Sequence, residues 1–161
     1  MYNNNNKFEE KISDGFEETV VSVRRVSKKT KGGNQMRFSV LVVVGDKKGK
    51  VGVGINKAKD VRGAVTKAIK YAKARIIDVP LKGTTVPYDI NYKYGAARIL
   101  IKPAPEGTGI TAGGPMRVVL EAAGVHDVVG KILGTNNKIT NVYATFEALK
   151  RLGEIKLRKG K

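Results

Sequence analysis

The chain has 161 residues, 31 Lys and Arg against 14 Asp and Glu, a formal net charge of +17 and no cysteine. That composition excludes disulfides, a thiolate nucleophile and cysteine-ligated zinc, and the single histidine, His126, leaves few routes to any metal centre. The longest strongly apolar run, Val40 to Val44, is too short to span a membrane, and an excess of cations in both halves points to a polyanion on more than one side.

Residues 1–14 open with Met1, Tyr2 and four asparagines and lack the basic-then-apolar pattern of a signal peptide. They read as a disordered polar lead-in, and the expected compartment is the cytoplasm. Residues 15–78 then alternate with period two before turning helical, which predicts a three-stranded antiparallel sheet plus one helix. Val21 and Val23 are placed on one face of a first strand. Met36, Phe38, Val40, Val42 and Val44 line one face of a second, with Arg37 and Ser39 on the other.

No acidic residue lies between Glu18 and Asp46, whereas Arg24, Arg25, Lys28, Lys29, Lys31 and Arg37 do. The middle of that stretch, Lys28 to Asn34, reads as a charged loop on a rigid β-scaffold. Gly32 and Gly33 let its backbone approach a ligand closely. Six like charges repel one another unless a polyanion sits among them, and nucleic acid supplies one. The competing reading is a solvated basic face.

Gly45 to Gly49 reads as a turn with a second basic tip, Lys47 and Lys48, followed by Lys50. A third strand turns Val51, Val53 and Ile55 inward and leaves Gly52 and Gly54 on a flat, accessible outer face. Helical spacing follows in Val61, Ala64, Val65, Ala68, Ile69, Ala72 and Ile76, with Asp60 as N-cap and Arg62, Lys67, Lys70 and Lys73 on the polar side.

Between Asp78 and Pro87 two prolines, Gly83 and the loss of periodicity mark a domain boundary, with residues 79–86 as linker and residues 87–153 as a second domain. Strands are predicted over 86–93 and 96–102, a helix from Pro115 to about Ala123 and a helix over 140–152; residues 126–133 suit strand or helix, and Gly130 in mid-run with Gly134 at the end favours strand. Residues 154–161 read as a loose basic tail.

Gly107-Thr108-Gly109-Ile110-Thr111-Ala112 fits the pattern G-x-G-x-x-[GA] between a strand and a helix. It is the best case for the alternative class, a small nucleotide-dependent enzyme using the loop from Gly107 to Gly114. Against it, Pro115 offers no N–H, no Gly-Lys-[Ser/Thr] follows, and the preceding strand belongs to a hairpin rather than a parallel βαβ unit. A tight turn or a protein contact is the favoured reading. His126 lies beside Asp127 but lacks a Ser or Cys nucleophile, and the scattered carboxylates suggest neither catalysis nor metal binding. With few aromatics and no two-aromatic platform, the chain is steered toward backbone and shape recognition of folded RNA.

Several blocks carry a resemblance. They are Arg25 to Lys28, Lys31-Gly32-Gly33, Val42 to Asp46, Gly49 to Gly54, Glu106 to Gly114, Met116-Arg117, Leu120 to Val125, and Ala144-Thr145 with Ala148-Leu149. In that order and spacing, over about residues 9–153, they closely resemble the family of bacterial small-subunit ribosomal protein number five. One departure is Asn34, where many relatives carry Arg.

The resemblance implies an α+β protein of two domains. The first is like a double-stranded-RNA-binding fold without its first helix. The second is a two-layer βββαβα-type unit with a left-handed crossover, as in the GHMP small-molecule kinases. It implies a non-catalytic constituent of the small ribosomal subunit, without cofactor, membrane or homo-oligomer. Such a protein binds ribosomal RNA, contacts small-subunit ribosomal proteins four and eight, and lies where messenger RNA comes in. It contributes to decoding accuracy and, with its neighbours, to unwinding structured messenger.

The segment from Ser27 to Asn34 would approach the spectinomycin-binding region of the RNA. Gly107, Gly109, Gly113, Gly114 and Arg117 would belong to the surface facing protein four. The leading RNA contacts expected are Arg24, Arg25, Ser27, Lys28, Lys29, Lys31, Gly32, Gly33, Asn34 and Arg37. Lys47, Lys48, Lys50, Lys57, Lys59 and Arg62 come second.

Overall fold

Alternating apolar residues build the first of two sheets. The computed structural model of the chain describes residues 15–159, so the predicted lead-in over 1–14 and the last two residues of the predicted tail lie outside the described residues. β1 (Glu17–Thr30), β2 (Gly33–Gly45) and β3 (Lys50–Ala58) run antiparallel, and a two-residue strand β4 (Ile77–Asp78) extends the sheet to the order β1-β2-β3-β4. α1 (Val61–Lys73) covers one face, capped by the Asp60 carboxylate, which accepts the Gly63 N–H at 2.7 Å. The helix stops at Lys73, short of Ile76.

β2 is buried on both faces. Val40, Val42 and Val44 pack with Ala64, Ala68 and Ala72 of α1, while Leu41 and Val43 join Val51 and Val53 in a core shared with the second half of the chain. The unbroken run from Val40 to Val44 suits a strand enclosed from two sides better than the single inward face that alternation predicts. Gly52 and Gly54 do not leave an open face. A Cβ on Gly52 would collide with the Ala72 carbonyl oxygen, and one on Gly54 with that of Ala68. The glycines let helix and sheet backbones come almost into contact.

A further departure lies in β1. A β-bulge between Val20 and Ser22 leaves Val21 as an extra residue. Val21 packs on the shared core, whereas Val23 pairs with Val40 on the α1 side and is 47% exposed. The bulge therefore separates two valines that simple alternation places on one face.

The second half runs β5 (Ile90–Tyr94), β6 (Ala97–Pro103), β7 (Ile110–Thr111), α2 (Gly114–Ala122), β8 (Val128–Ile132), α3 (Lys138–Lys159), in sheet order β5-β6-β8-β7. β5 and β6 form the predicted hairpin, turning at Gly95-Ala96. β7 is a pair of residues held by parallel pairing to β8 across the α2 crossover. The elements thus follow the βββαβα order, and the chain is α+β. α3 continues to Lys159, so most of the segment read as a loose tail is helical. Residues 79–86 are packed: Val79 and Val86 are buried, and Lys82 pairs with Thr85 in a bridge.

Candidate nucleic-acid interface

Beyond Phe38 the first hairpin leaves the body of the protein. Rungs from Ser27–Met36 to Thr30–Gly33 remain paired, yet every residue from Ser27 to Arg37 is exposed. The predicted loop is therefore mostly strand. Only Lys31 and Gly32 form the turn, which the Thr30 hydroxyl closes by donating to the Gly33 carbonyl at 2.7 Å. Gly33 has φ +128°, a conformation that side chains resist. Period-two alternation in a sequence this polar did not separate ladder from loop, because beyond Met36 no apolar residue marks the outer rungs. The result is a two-stranded arm standing roughly 13 Å beyond Val26, from the rise of four strand residues.

Pairing sorts the cations onto two faces. Arg24 and Lys28 share a face with Arg37, which sits opposite Val26, and with Lys57, which sits opposite Ser39. There Val26, Ser27, Lys28, Gln35, Arg37 and Lys57 line a concavity of about 300 Å³. Arg25 and Lys29 lie on the opposite face with Val23, Asn34 and Met36, and Lys31 is at the tip. No carboxylate of the described residues pairs with Arg24, Arg25, Lys28, Lys29, Lys31 or Arg37. The ion pairs lie elsewhere: Glu17–Lys47 at 2.6 Å, Glu18–Lys73 at 3.3 Å and Arg117–Glu121 at 3.8 Å.

The second basic turn is built differently. The Lys47 N–H donates to the Ala122 carbonyl at 3.1 Å and the Gly49 N–H to that of Ala123 at 3.0 Å. A Cβ on Gly45 would collide with the Ala122 carbonyl, and one on Gly124 with that of Lys47. Lys47 itself holds φ +57° and reaches Glu17. Asp46 completes the turn by accepting the N–H groups of Lys48 and Lys50 at 2.7 and 2.9 Å. The turn is thus a joint between the first sheet and α2, from which Lys48 and Lys50 project into solvent. Lys57 joins the arm's concavity, while Lys59 and Arg62 are exposed on either side of the α1 N-cap.

Gly107, Gly109, Gly113, Gly114 and Arg117 gather at β7 and the start of α2. Arg117 donates from Nη2 to the Ile110 carbonyl at 2.6 Å. Gly107 and Gly109 take φ +87° and +72°. Their loop encloses a carboxylate: Asp127 accepts the Gly109 N–H at 2.9 Å. The Thr84 hydroxyl, then the Gly109 and Gly107 N–H groups, hold the Asp127 carboxyl below the usual carboxylate range against the opposing effect of burial. The Thr84 carbonyl in turn accepts the His126 and Asp127 N–H groups at 2.9 and 3.0 Å. Sequence reading placed Asp127 only as a neighbour of His126. Its partners lie 18 and 43 positions away in the chain, and no local spacing could have found them. Tyr92 and Tyr94 of β5 are no open stacking platform, since Tyr94 stacks on Tyr143 of α3 with ring centroids 6.1 Å apart.

A cationic β-arm with no carboxylate partner among the described residues, on an α+β body whose glycine loop is occupied by Asp127, has the features of the nucleic-acid-binding class. Residues 16–80 match the N-terminal domain of ribosomal protein S5 and residues 92–158 its C-terminal domain. The small ribosomal subunit protein uS5c of Spinacia oleracea is 55% identical over 144 residues, covering 89% of this chain and 47% of that protein. The chain spans about half the length of that curated relative. It belongs to the ribosomal protein S5 family, whose role is structural rather than catalytic.

Proposed function

We propose that the chain is a structural constituent of the small ribosomal subunit that grips ribosomal RNA with the β1–β2 arm. The observation that carries this reading is the set of six arm cations with no carboxylate partner among the described residues. Like charges held this close on a rigid ladder repel until phosphates come between them. Two faces of cations suit insertion between RNA segments, with the concavity around Arg37 and Lys57 taking backbone phosphate. A Cβ on Gly32 would meet nothing within 4 Å, so its smallness is not needed inside the chain and is free to serve a partner.

If about six phosphates are neutralised, log affinity falls against log salt with a slope of roughly −4 to −5. A salt series with small-subunit RNA measures it, and a slope near zero removes the mechanism. Cofractionation with small subunits through a gradient at moderate salt separates assembly on the ribosome from a free-standing RNA binder.

The finer reading follows the family resemblance. Residues 15–78 and 87–153 act as two domains, in the cytoplasm. The surface of Gly107, Gly109, Gly113, Gly114 and Arg117 meets small-subunit protein four, another surface meets protein eight, and the assembly touches incoming messenger RNA and decoding accuracy. Reconstitution with and without those two proteins tests the contacts. Misreading assays on arm variants test the accuracy role.

A further inference from the structure

The second sheet has one covered face and one open face. Ile90, Ile99, Ile101 and Val128 are buried in the core with residues of α2 and α3. Strand alternation turns the intervening residues the other way. Among those are Lys93 of β5, Arg98, Leu100 and Lys102 of β6, and Val129 and Lys131 of β8. The four cations are exposed, and Leu100 and Val129 are half-buried without joining either core cluster. We infer that this open face is a second RNA-binding surface, holding a segment of phosphate backbone distinct from the one at the β1–β2 arm. The ligand class is that of the proposed function, yet the arm contributes no residue here, so either surface can fail without the other.

Strand register sets the charges close together. Lys93 sits directly opposite Arg98, and Leu100, between Arg98 and Lys102 on its strand face, sits opposite Lys131. From Arg98 to Lys102 the face spans roughly 13 Å, the rise of four strand residues. Like charges directly opposite across an antiparallel pair oppose folding, whereas opposite signs there would favour it. β5, β6 and β8 contain no carboxylate, and no ion pair of the described residues involves these cations. A polyanion laid across the face relieves the repulsion. Three of the four cations are lysine, a point-charge partner for phosphate that is scarce in protein–protein interfaces. The tyrosines of β5 are engaged by α3: the Arg151 guanidinium lies 6.0 Å from the Tyr92 ring centroid, and Tyr94 stacks on Tyr143. Bases therefore find no stacking platform on the open face, and contact is with sugar and phosphate. Leu100 and Val129 form a low apolar floor between the cations, not the protruding anchors that insertion into lipid requires.

Two measurements on the full chain test the surface. The first combines Lys93→Gln, Arg98→Gln, Lys102→Gln and Lys131→Gln and follows binding to small-subunit ribosomal RNA across a salt series. The slope of log affinity against log salt should flatten by about 3, the share of four neutralised phosphates. A control with Lys67→Gln, Lys70→Gln, Lys82→Gln and Lys150→Gln removes the same charge from other exposed positions and should change the slope by less than about 1. The thermal midpoint of the sheet variant should hold or rise, because positions 93 and 98 no longer repel. The second measurement needs no variant: lysine acetylation rates are read by mass spectrometry with and without the RNA. Lys93, Lys102 and Lys131 should be protected in the complex, and protection of Lys28, Lys29 and Lys31 reports the arm separately. Either of two results overturns the surface: a slope change in the sheet variant no larger than in the control, or Lys93, Lys102 and Lys131 reacting as fast in the RNA complex as in the free chain. Protection of those three by anionic vesicles but not by RNA overturns it in favour of a lipid surface.

Discussion

The two basic, glycine-bearing turns of the first sheet look alike in sequence and do opposite work. The arm tip, Lys31-Gly32, stands clear of the body: every residue from Ser27 to Arg37 is exposed, and among the described residues its cations have no carboxylate partner. The turn from Gly45 to Gly49 is stitched to α2 by backbone hydrogen bonds, and its first cation is spent on Glu17. What separates them is whether a glycine's missing Cβ is filled by the protein itself. At Gly45 the Ala122 carbonyl occupies that place, and at Gly32 the place is vacant.

The comparison breaks most sharply at Gly45. Gly45→Val forces a side chain into the Ala122 carbonyl and is expected to cost about 3 kcal/mol, seen as a fall of roughly 10 °C in thermal midpoint. The salt slope of RNA binding by the remaining folded protein should not change. Charge reversal of Lys28, Lys29 and Lys31 to Glu should do the converse. Affinity for small-subunit RNA drops on the order of 100-fold or more and the slope flattens by about 2 to 3, with the thermal midpoint held.

A smaller effect belongs to pH. Because the folded state lowers the Asp127 pKa below its ordinary 3.8, that group's stabilisation is complete above the ordinary value and is lost as pH falls through the lowered one. Asp127→Asn should lower stability at neutral pH and flatten the acid limb, as measured by denaturant unfolding across the acid range. Smallest is Gly32→Ala, which has open space and ordinary φ. It should leave stability within about 0.5 kcal/mol and weaken RNA binding a few-fold, on the order of 1 kcal/mol. A loss of stability there would place Gly32 with Gly45 after all.

Much of this was legible in the residues themselves. Alternation found β2 and β3, Asp60 found the start of α1, and Gly124 found the end of α2, because each rests on chemistry within a few positions. The family likeness stood on ordered blocks of such residues. What could not be read were contacts made at a distance. Gly52 and Gly54 look like an open strand face until α1 is laid on them, and Gly45 looks like an ordinary turn residue until Ala122 arrives. The candidate site divides the same way. The charge of the arm was plain, whereas its division into two faces depends on pairing, and Lys57 joins it only through the register of β3 on β2. Loop and ladder could not be told apart near the tip because solvent lies on both sides there.

The extra residue in β1 gives the protein a means of aiming. Val21 adds local twist between the part of the strand embedded in the body and the part that reaches outward. Deleting it would keep every lysine and arginine while pointing them along a different line. Such a variant would still be drawn to RNA by its charge, but would arrive at the wrong angle to seat.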